Sequence, residues 1–263
     1  MSGLRLAWIH LRIGVLNEMQ YRANFFIQLV QSTVAVATGL IALAVIFDHT
    51  TDLNGWTRPE LLIVMGVFTL VGGLIGFAIE PNMGRVLTDI HQGTFDFVLT
   101  KPADSQLLSS VRQFHLWRLV DAGVGLGVIV WGLVRLDGSL SVGDIAGFVM
   151  TLVAGMILIY CLWLIVTSGA FWIVRMDEVH DLFMGLYRAG QYPVTVYPIG
   201  LKLILTYLVP IGFAVTVPAE SLTGRLTWER VVAGLFVATG CPTQPPHDGQ
   251  LPTAVAGPGA VRR

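Results

Sequence analysis

The sequence predicts an all-α membrane protein, and three observations carry that prediction. Of its 263 residues, 54% are hydrophobic and only 13% charged, about half the roughly 25% charge that covers a water-soluble domain. Two runs, Phe25 to Phe47 and Leu61 to Ile79, contain no charged residue at all, and each has the ~20-residue length at which a helix rising 1.5 Å per residue crosses a hydrocarbon core about 30 Å thick. Finally, Lys and Arg are spread unevenly between alternate connecting segments, as they are in chains oriented by positive charge.

Taken in order, residues 1–24 precede the first span. Between Leu4 and Arg22 the apolar residues Leu4, Leu6, Trp8, Ile9, Leu11, Ile13, Leu16 and Met19 alternate with Arg5, Arg12, Glu18 and Arg22, a pattern suited to an amphipathic helix lying on the membrane surface. The first span is Phe25 to Phe47 and the second Leu61 to Ile79. A third covers about Leu116 to Leu136, with Asp121 near its start and Arg135 at its end. A fourth, about Ile145 to Val174, is long enough to tilt. Pro193 and Pro198 place the start of a fifth helix after Pro198, running from Ile199 to Val217; proline is tolerated in a first turn, and Pro210 should kink the helix. Lys202 would lie near its membrane edge, where its ammonium can snorkel. None of these runs has the short apolar core and small-residue cleavage site of a secretory signal.

The chain end differs. The apolar stretch from Val231 stops at Thr239, too short to span as a helix, and Pro242, Pro245, Pro246, Pro252 and Pro258 crowd the remainder. Residues 241–263 are therefore expected to form a proline-rich, extended tail, and a sixth span to be cut short or absent. With the N-terminus inside, the inner segments carry nine Lys and Arg ahead of the tail (Arg5, Arg12, Arg22, Arg85, Lys101, Arg112, Arg118, Arg175, Arg188) and the outer segments four (Arg58, Arg135, Arg225, Arg230). That asymmetry places the N-terminus in the cytoplasm.

Several function classes are excluded. A net charge of −1 offers no basic excess for nucleic acid. There is no phosphate-binding G-x-x-x-x-G-K-[ST] loop, no H-E-x-x-H and no G-x-S-x-G elbow, so neither an enzyme nor a metal or cofactor is expected. Two cysteines, Cys161 and Cys241, allow at most one bridge and fit no metal spacing. The glycines of GVGLG lie inside an apolar run, where helix packing explains them better than dinucleotide binding; Gly72 with Gly76, Gly123 with Gly127 and Gly143 with Gly147 form G-x-x-x-G pairs. Asp121 stands three residues after Arg118 and reads as a headgroup-level ion pair. Gln28, Gln31, Ser32, Thr33 and Thr38 in the first span suit either a polar pathway or hydrogen bonds between helices.

The richest segment is residues 80–117. Val86, Leu87, Ile90, Phe95, Phe97, Val98 and Leu99 are apolar, with Gly93 and Pro102 as helix stops. An apolar surface helix at the cytoplasmic face suits docking of another protein.

These residues resemble a family. The YRANFF of residues 21–26, the I-x-x-G-T-F-D-F-V-L-T-K-P of residues 90–102, QYPVTVYP at 191–198 and VPIGFAVTVPAESLTGR at 209–225 are similar to the ABC-2 type permeases of bacterial ATP-binding-cassette transporters. The likeness covers about residues 1–240. It implies an exporter-type transmembrane domain at 25–240 in the cytoplasmic membrane, preceded by an amphipathic elbow helix. It also implies a separate ABC ATPase subunit, and a second permease chain, identical or different, that completes the pathway. Ile90, Gly93, Phe95, Asp96, Leu99 and Pro102 match the family's I-x-x-G-x-[LF]-D-x-x-L-x-x-P coupling pattern, which docks on the ATPase. Gln28, Gln31, Thr38, Lys202 and Pro210 lie on the first and fifth helices, which the family places at the interface between permease chains or along the pathway. The family continues into a full sixth helix, from which this chain departs after Gly240. The alternative, an ATP-independent secondary transporter or channel, would call for mid-membrane charges and paired broken helices, and the sequence pairs none.

Overall fold

The computed structural model describes Arg12 and residues 22–100, 109–110, 112–136, 140–169 and 177–226. The expected elbow helix, the proline-rich tail, any sixth span and Pro102 lie outside these residues. Among the described residues the regular structure is helical, with one isolated bridge between Leu53 and Trp56 in the first loop. Among the described residues four helical stretches are long and apolar enough to cross a membrane, and a bent pair of helices, Ile199–Thr206 with Ile211–Leu222, makes five if it is counted as one span.

Helix α1 (Arg22–His49) is about 42 Å long at 1.5 Å per residue. It leaves Phe26, Ile27, Val30, Val34, Ile41 and Val45 exposed, an arrangement that hydrocarbon accepts and water does not. Its two threonine hydroxyls are satisfied internally: Thr33 donates to the Leu29 carbonyl and Thr38 to that of Val34.

Helix α2 (Arg58–Leu74) begins with Pro59 in its first turn and a Thr57-x-x-Glu60 box, in which the Glu60 carboxylate accepts from the Thr57 amide at 2.7 Å and hydroxyl at 2.8 Å. Leu61, Ile63, Val64, Val67 and Val71 are almost wholly buried, so α2 is the centre of the bundle. The sequence reading ends this span at Ile79, but the helix continues through a π-helical turn (Ile75–Ile79) into α3 (Glu80–His91), 34 residues in all. The cause is Pro81. Lacking an amide, it cannot donate to the Phe77 carbonyl four residues back; the widened turn makes room for the ring, and the Phe77 carbonyl accepts from the His115 amide at 3.0 Å. Met83 and Leu87 of α3 are buried, which corrects the expectation of an apolar surface helix across residues 86–99.

After α3 the chain reverses at Gly93 (φ +66°). The Gly93 amide donates to the Ile90 carbonyl and the Thr94 amide to that of Asp89, the paired bonds of a glycine helix stop. A short α4 (Asp96–Leu99) follows. A 3-10 turn (Leu116–Arg118) then leads into α5 (Leu119–Arg135), and α6 spans Val142–Gly169.

Helices α2 and α5 meet on a glycine seam that differs from the expected G-x-x-x-G pairs. A methyl added at Gly125 would lie 2.5 Å from the Leu70 amide nitrogen, one at Gly73 2.5 Å from that of Ala122, and one at Gly66 or Gly132 would strike the Ile129 or Ile63 side chain at 2.7 Å. Gly66 with Gly73 and Gly125 with Gly132 are seven residues apart, the repeat of a left-handed helix pair, whereas methyls at Gly123 and Gly127 would meet nothing within 4 Å. Gly125→Leu is expected to cost about 1–3 kcal/mol through overpacking, read as a lower thermal midpoint in detergent, while Gly127→Leu leaves the midpoint unchanged. Equal effects of the two would remove the seam.

The fifth helix is the main correction. Helix α7 (Asp177–Ala189) packs Phe183 on Trp163 and stacks Tyr187 on Phe68, each at 4.7 Å between ring centres. The chain then passes a 3-10 turn (Val194–Val196) to Thr195, whose hydroxyl accepts from the Trp56 indole at 3.0 Å and whose carbonyl accepts from the Asn54 amide. The expected continuous span at 199–217 is instead α8 (Ile199–Leu203), a π-helical turn (Ile204–Leu208) and α9 (Ile211–Leu222), bent by 90°. Val209 is extended, and Pro210 caps α9 with ψ of +36°, so proline breaks the helix where a kink was expected. Beyond α9, Arg225 returns to Glu60 and Gly55. Both ends of residues 195–225 therefore reach the same α1–α2 loop, so this segment turns back on itself.

Candidate functional site

Three side-chain clusters occupy the two ends and the flank of the bundle. At the α3 end, Asn82 is wholly buried because its amide is fully used. Its Oδ1 accepts from the Arg112 and Gln113 amides at 2.9 Å each, and its Nδ2 donates to the Gln113 carbonyl at 2.7 Å and the Ala78 carbonyl at 2.6 Å. One helical turn or two further on, Asp89 pairs with Arg112 at 2.9 Å and Arg85 at 3.4 Å, while its backbone carbonyl accepts from Thr94 and Phe95. The Gly93 turn is thus tied to the segment entering α5 by charge-assisted and neutral bonds together.

The residues expected to dock a partner sit on this turn. Ile90 and Phe95 are half-buried, Gly93 and Asp96 exposed, and Leu99 ends α4. Phe97, 71% exposed, is the large apolar side chain that the turn presents outward. The sequence pattern favoured Phe95, because spacing alone does not tell which of two aromatics faces the bundle.

At the opposite end, Arg225 spans Glu60 with two bonds, Nε to Oε1 at 2.7 Å and a terminal nitrogen to Oε2 at 2.9 Å. It also lies 5.0 Å from the Trp56 ring centre and donates to the Gly55 carbonyl at 2.7 Å. With the Trp56 and Asn54 bonds to Thr195, this cluster clasps both ends of the bent segment. The Thr57-x-x-Glu60 spacing is a local box motif that the sequence reading did not single out; the partner of Glu60, 165 residues away, carries no local signal.

Between α1, α2, α7 and the start of α5 lies a cavity of about 380 Å³. Gln28 and Gln31 line it. Gln28 donates to Asp121 at 2.7 Å, and Arg118 lies 3.6 Å from the same carboxylate, so the expected ion pair has a third member on α1. Thr38, Lys202 and Pro210 are not among its lining residues: Thr38 turns its hydroxyl onto its own helix, Lys202 is exposed on α8, and Pro210 stands at the 90° break. The cavity also recruits Ser32, Glu80, Tyr187, Arg188 and Gln191, of which the sequence reading singled out only Ser32 as a polar group. Among the described residues no cluster of His, Cys, Asp and Glu is able to hold a metal ion.

Among known proteins, a family model described as ABC-2 family transporter protein matches residues 33–240. No curated protein and no solved structure matches the chain.

Proposed function

The chain belongs to the ABC-2 transporter family, and from that premise we propose that this multi-pass membrane component is the permease subunit of an ABC exporter. ATP hydrolysis would take place on a separate ATPase, and a second permease chain, identical or different, would complete the pathway. The observation that best supports this reading is the single 34-residue helical stretch Arg58–His91. At about 51 Å, it carries the Gly93 turn at one end and Glu60 at the other. A rigid rod with a docking turn at its foot and an ion-pair clasp at its head is suited to carrying a partner's motion through the bilayer.

In this reading the Gly93 turn and α4 dock on the ATPase at the cytoplasmic face, with the N-terminus on the same side. Phe97 is the anchor, as exposed aromatics are in protein interfaces. Asp96 begins α4, where a carboxylate favours the helix dipole, and so orients the turn. Helices α1 and α7 flank the pathway.

The test is co-purification in mild detergent of this chain with the ATPase encoded nearest to it, followed by ATPase and transport assays in vesicles. Phe97→Glu, an exposed substitution that spares the core, is expected to weaken ATPase binding about tenfold or more and to uncouple hydrolysis from transport while insertion stays normal. A chain that purifies alone, or a Phe97→Glu variant with unchanged coupling, would overturn the assignment.

A further inference from the structure

We infer that the cavity between α1, α2 and α7 is a binding site for the head group of a zwitterionic phospholipid. Its lining contains two guanidinium groups, Arg118 and Arg188, and two carboxylates, Asp121 and Glu80. With two charges of each sign the lining is balanced, so a ligand of single sign is repelled by as many groups as attract it. A head group carrying both a phosphate and an ammonium meets a complement for each. The lining also includes the apolar side chains of Val36, Met65, Phe68 and Met184, which suit the start of an acyl chain.

A second observation points to a missing ligand group. Ser32 is 4% exposed, its Oγ has no hydrogen-bond partner, and it lines this cavity. The other hydroxyls of α1, on Thr33 and Thr38, bond back to carbonyls four residues earlier; Ser32 does not. A buried hydroxyl left unsatisfied is unfavourable, and a phosphate or glycerol oxygen lying against it removes that penalty. Entry is from the side: Gln31 and Ala35 line the cavity and are themselves exposed on the flank of α1. Beside them Ile27, Val30 and Val34 face outward, and the molecule that approaches such a flank is a lipid of the surrounding leaflet. The site is assigned independently of the permease reading, since it requires no ATPase and no second chain.

The experiment is native mass spectrometry of the full chain in maltoside detergent, titrated with phosphatidylethanolamine or phosphatidylglycerol of identical acyl chains. The two lipids share the phosphate and differ in the ammonium. The first phosphatidylethanolamine is expected to bind about tenfold tighter, the effect of one added charge-assisted bond. Ser32→Leu, which fills the cavity without altering its charge, and Arg188→Gln, which removes a partner of the shared phosphate, should each weaken both lipids, whereas Glu80→Gln should abolish the preference by removing a partner of the ammonium. Arg188 is exposed, so its replacement spares the core and keeps the test decisive if Ser32→Leu fails to fold. Equal affinities, a preference for phosphatidylglycerol, a preference that survives Glu80→Gln, or binding that is unchanged in Arg188→Gln would each overturn the assignment.

Discussion

Arg225→Ala is expected to destabilise the folded chain by about 2–4 kcal/mol, a larger loss than a surface charge would give. Glu60 is 6% exposed, and two of the bonds that hold its carboxylate come from Arg225 at 2.7 and 2.9 Å. Removing the guanidinium leaves a buried carboxylate with only the Thr57 amide and hydroxyl. Breaking a buried pair from one side costs about 3–5 kcal/mol, reduced here because the Arg225 side chain is about a third exposed and partly solvated. Arg225→Lys should recover only part of the loss, because an ammonium cannot bridge both oxygens or lie flat on Trp56. Combining Arg225→Ala with Glu60→Gln should cost less than the two single changes added together, since the stranded charge is gone. Thermal midpoints of the four proteins in one detergent measure this as a double-mutant cycle, and strict additivity would show that the clasp is not a coupled unit. In the permease reading, the same variants free the Arg225 end of the bent segment while Trp56 and Asn54 still hold Thr195, so transport should fall while ATPase binding at the other end of the bundle is unaffected.

Asn82→Leu is expected to be comparably severe, at about 3–5 kcal/mol. Leucine matches asparagine approximately in size, so the loss comes from polarity: the Arg112 and Gln113 amides and the Gln113 and Ala78 carbonyls lose their partners together. Each buried group left unpaired costs about 1–3 kcal/mol, less whatever water recovers at the end of the bundle. The consequence is local. Residues 112–115 would come away from α3, Arg112 would no longer be held against Asp89, and the Gly93 turn would lose its tie to α5. A variant that still inserts and binds the ATPase but hydrolyses ATP without transport is the expected phenotype. Protection of the 112–118 amides against hydrogen exchange gives the structural readout, and wild-type protection in Asn82→Leu would remove this account.

The helices most legible in the sequence were those whose solvent is lipid. The charge-free run at Phe25 to Phe47 is almost all of α1, and the Gly93 stop falls at an αL turn because glycine takes positive φ without steric cost. The glycine content also announced close packing, but not its register. G-x-x-x-G spacing put Gly123 and Gly127 forward, whereas Gly125 and Gly132 face α2, and which side of α5 turns inward depends on a neighbour that the local pattern does not contain. Of the polar residues proposed for the pathway, Gln28 and Gln31 reach the cavity and Thr38, Lys202 and Pro210 do not. The outcome follows the rotation of α1 in the first case and the path of the chain after Pro198 in the second.

Composition and apolar run length alone determined that this protein is helical and lives in a membrane, because the free energy of placing a segment in hydrocarbon is nearly a sum over its own residues. Only the tertiary structure decided that Pro81 does not end a helix, since the Phe77 carbonyl it leaves open is taken by His115. It also decided that residues 199–222 do not run as one continuous helix, since Thr195 and Arg225 are both held by the α1–α2 loop. Those outcomes turn on hydrogen bonds and ion pairs between residues 38 to 170 positions apart in the chain. Their energies depend on which groups meet after folding, which no local window of sequence contains.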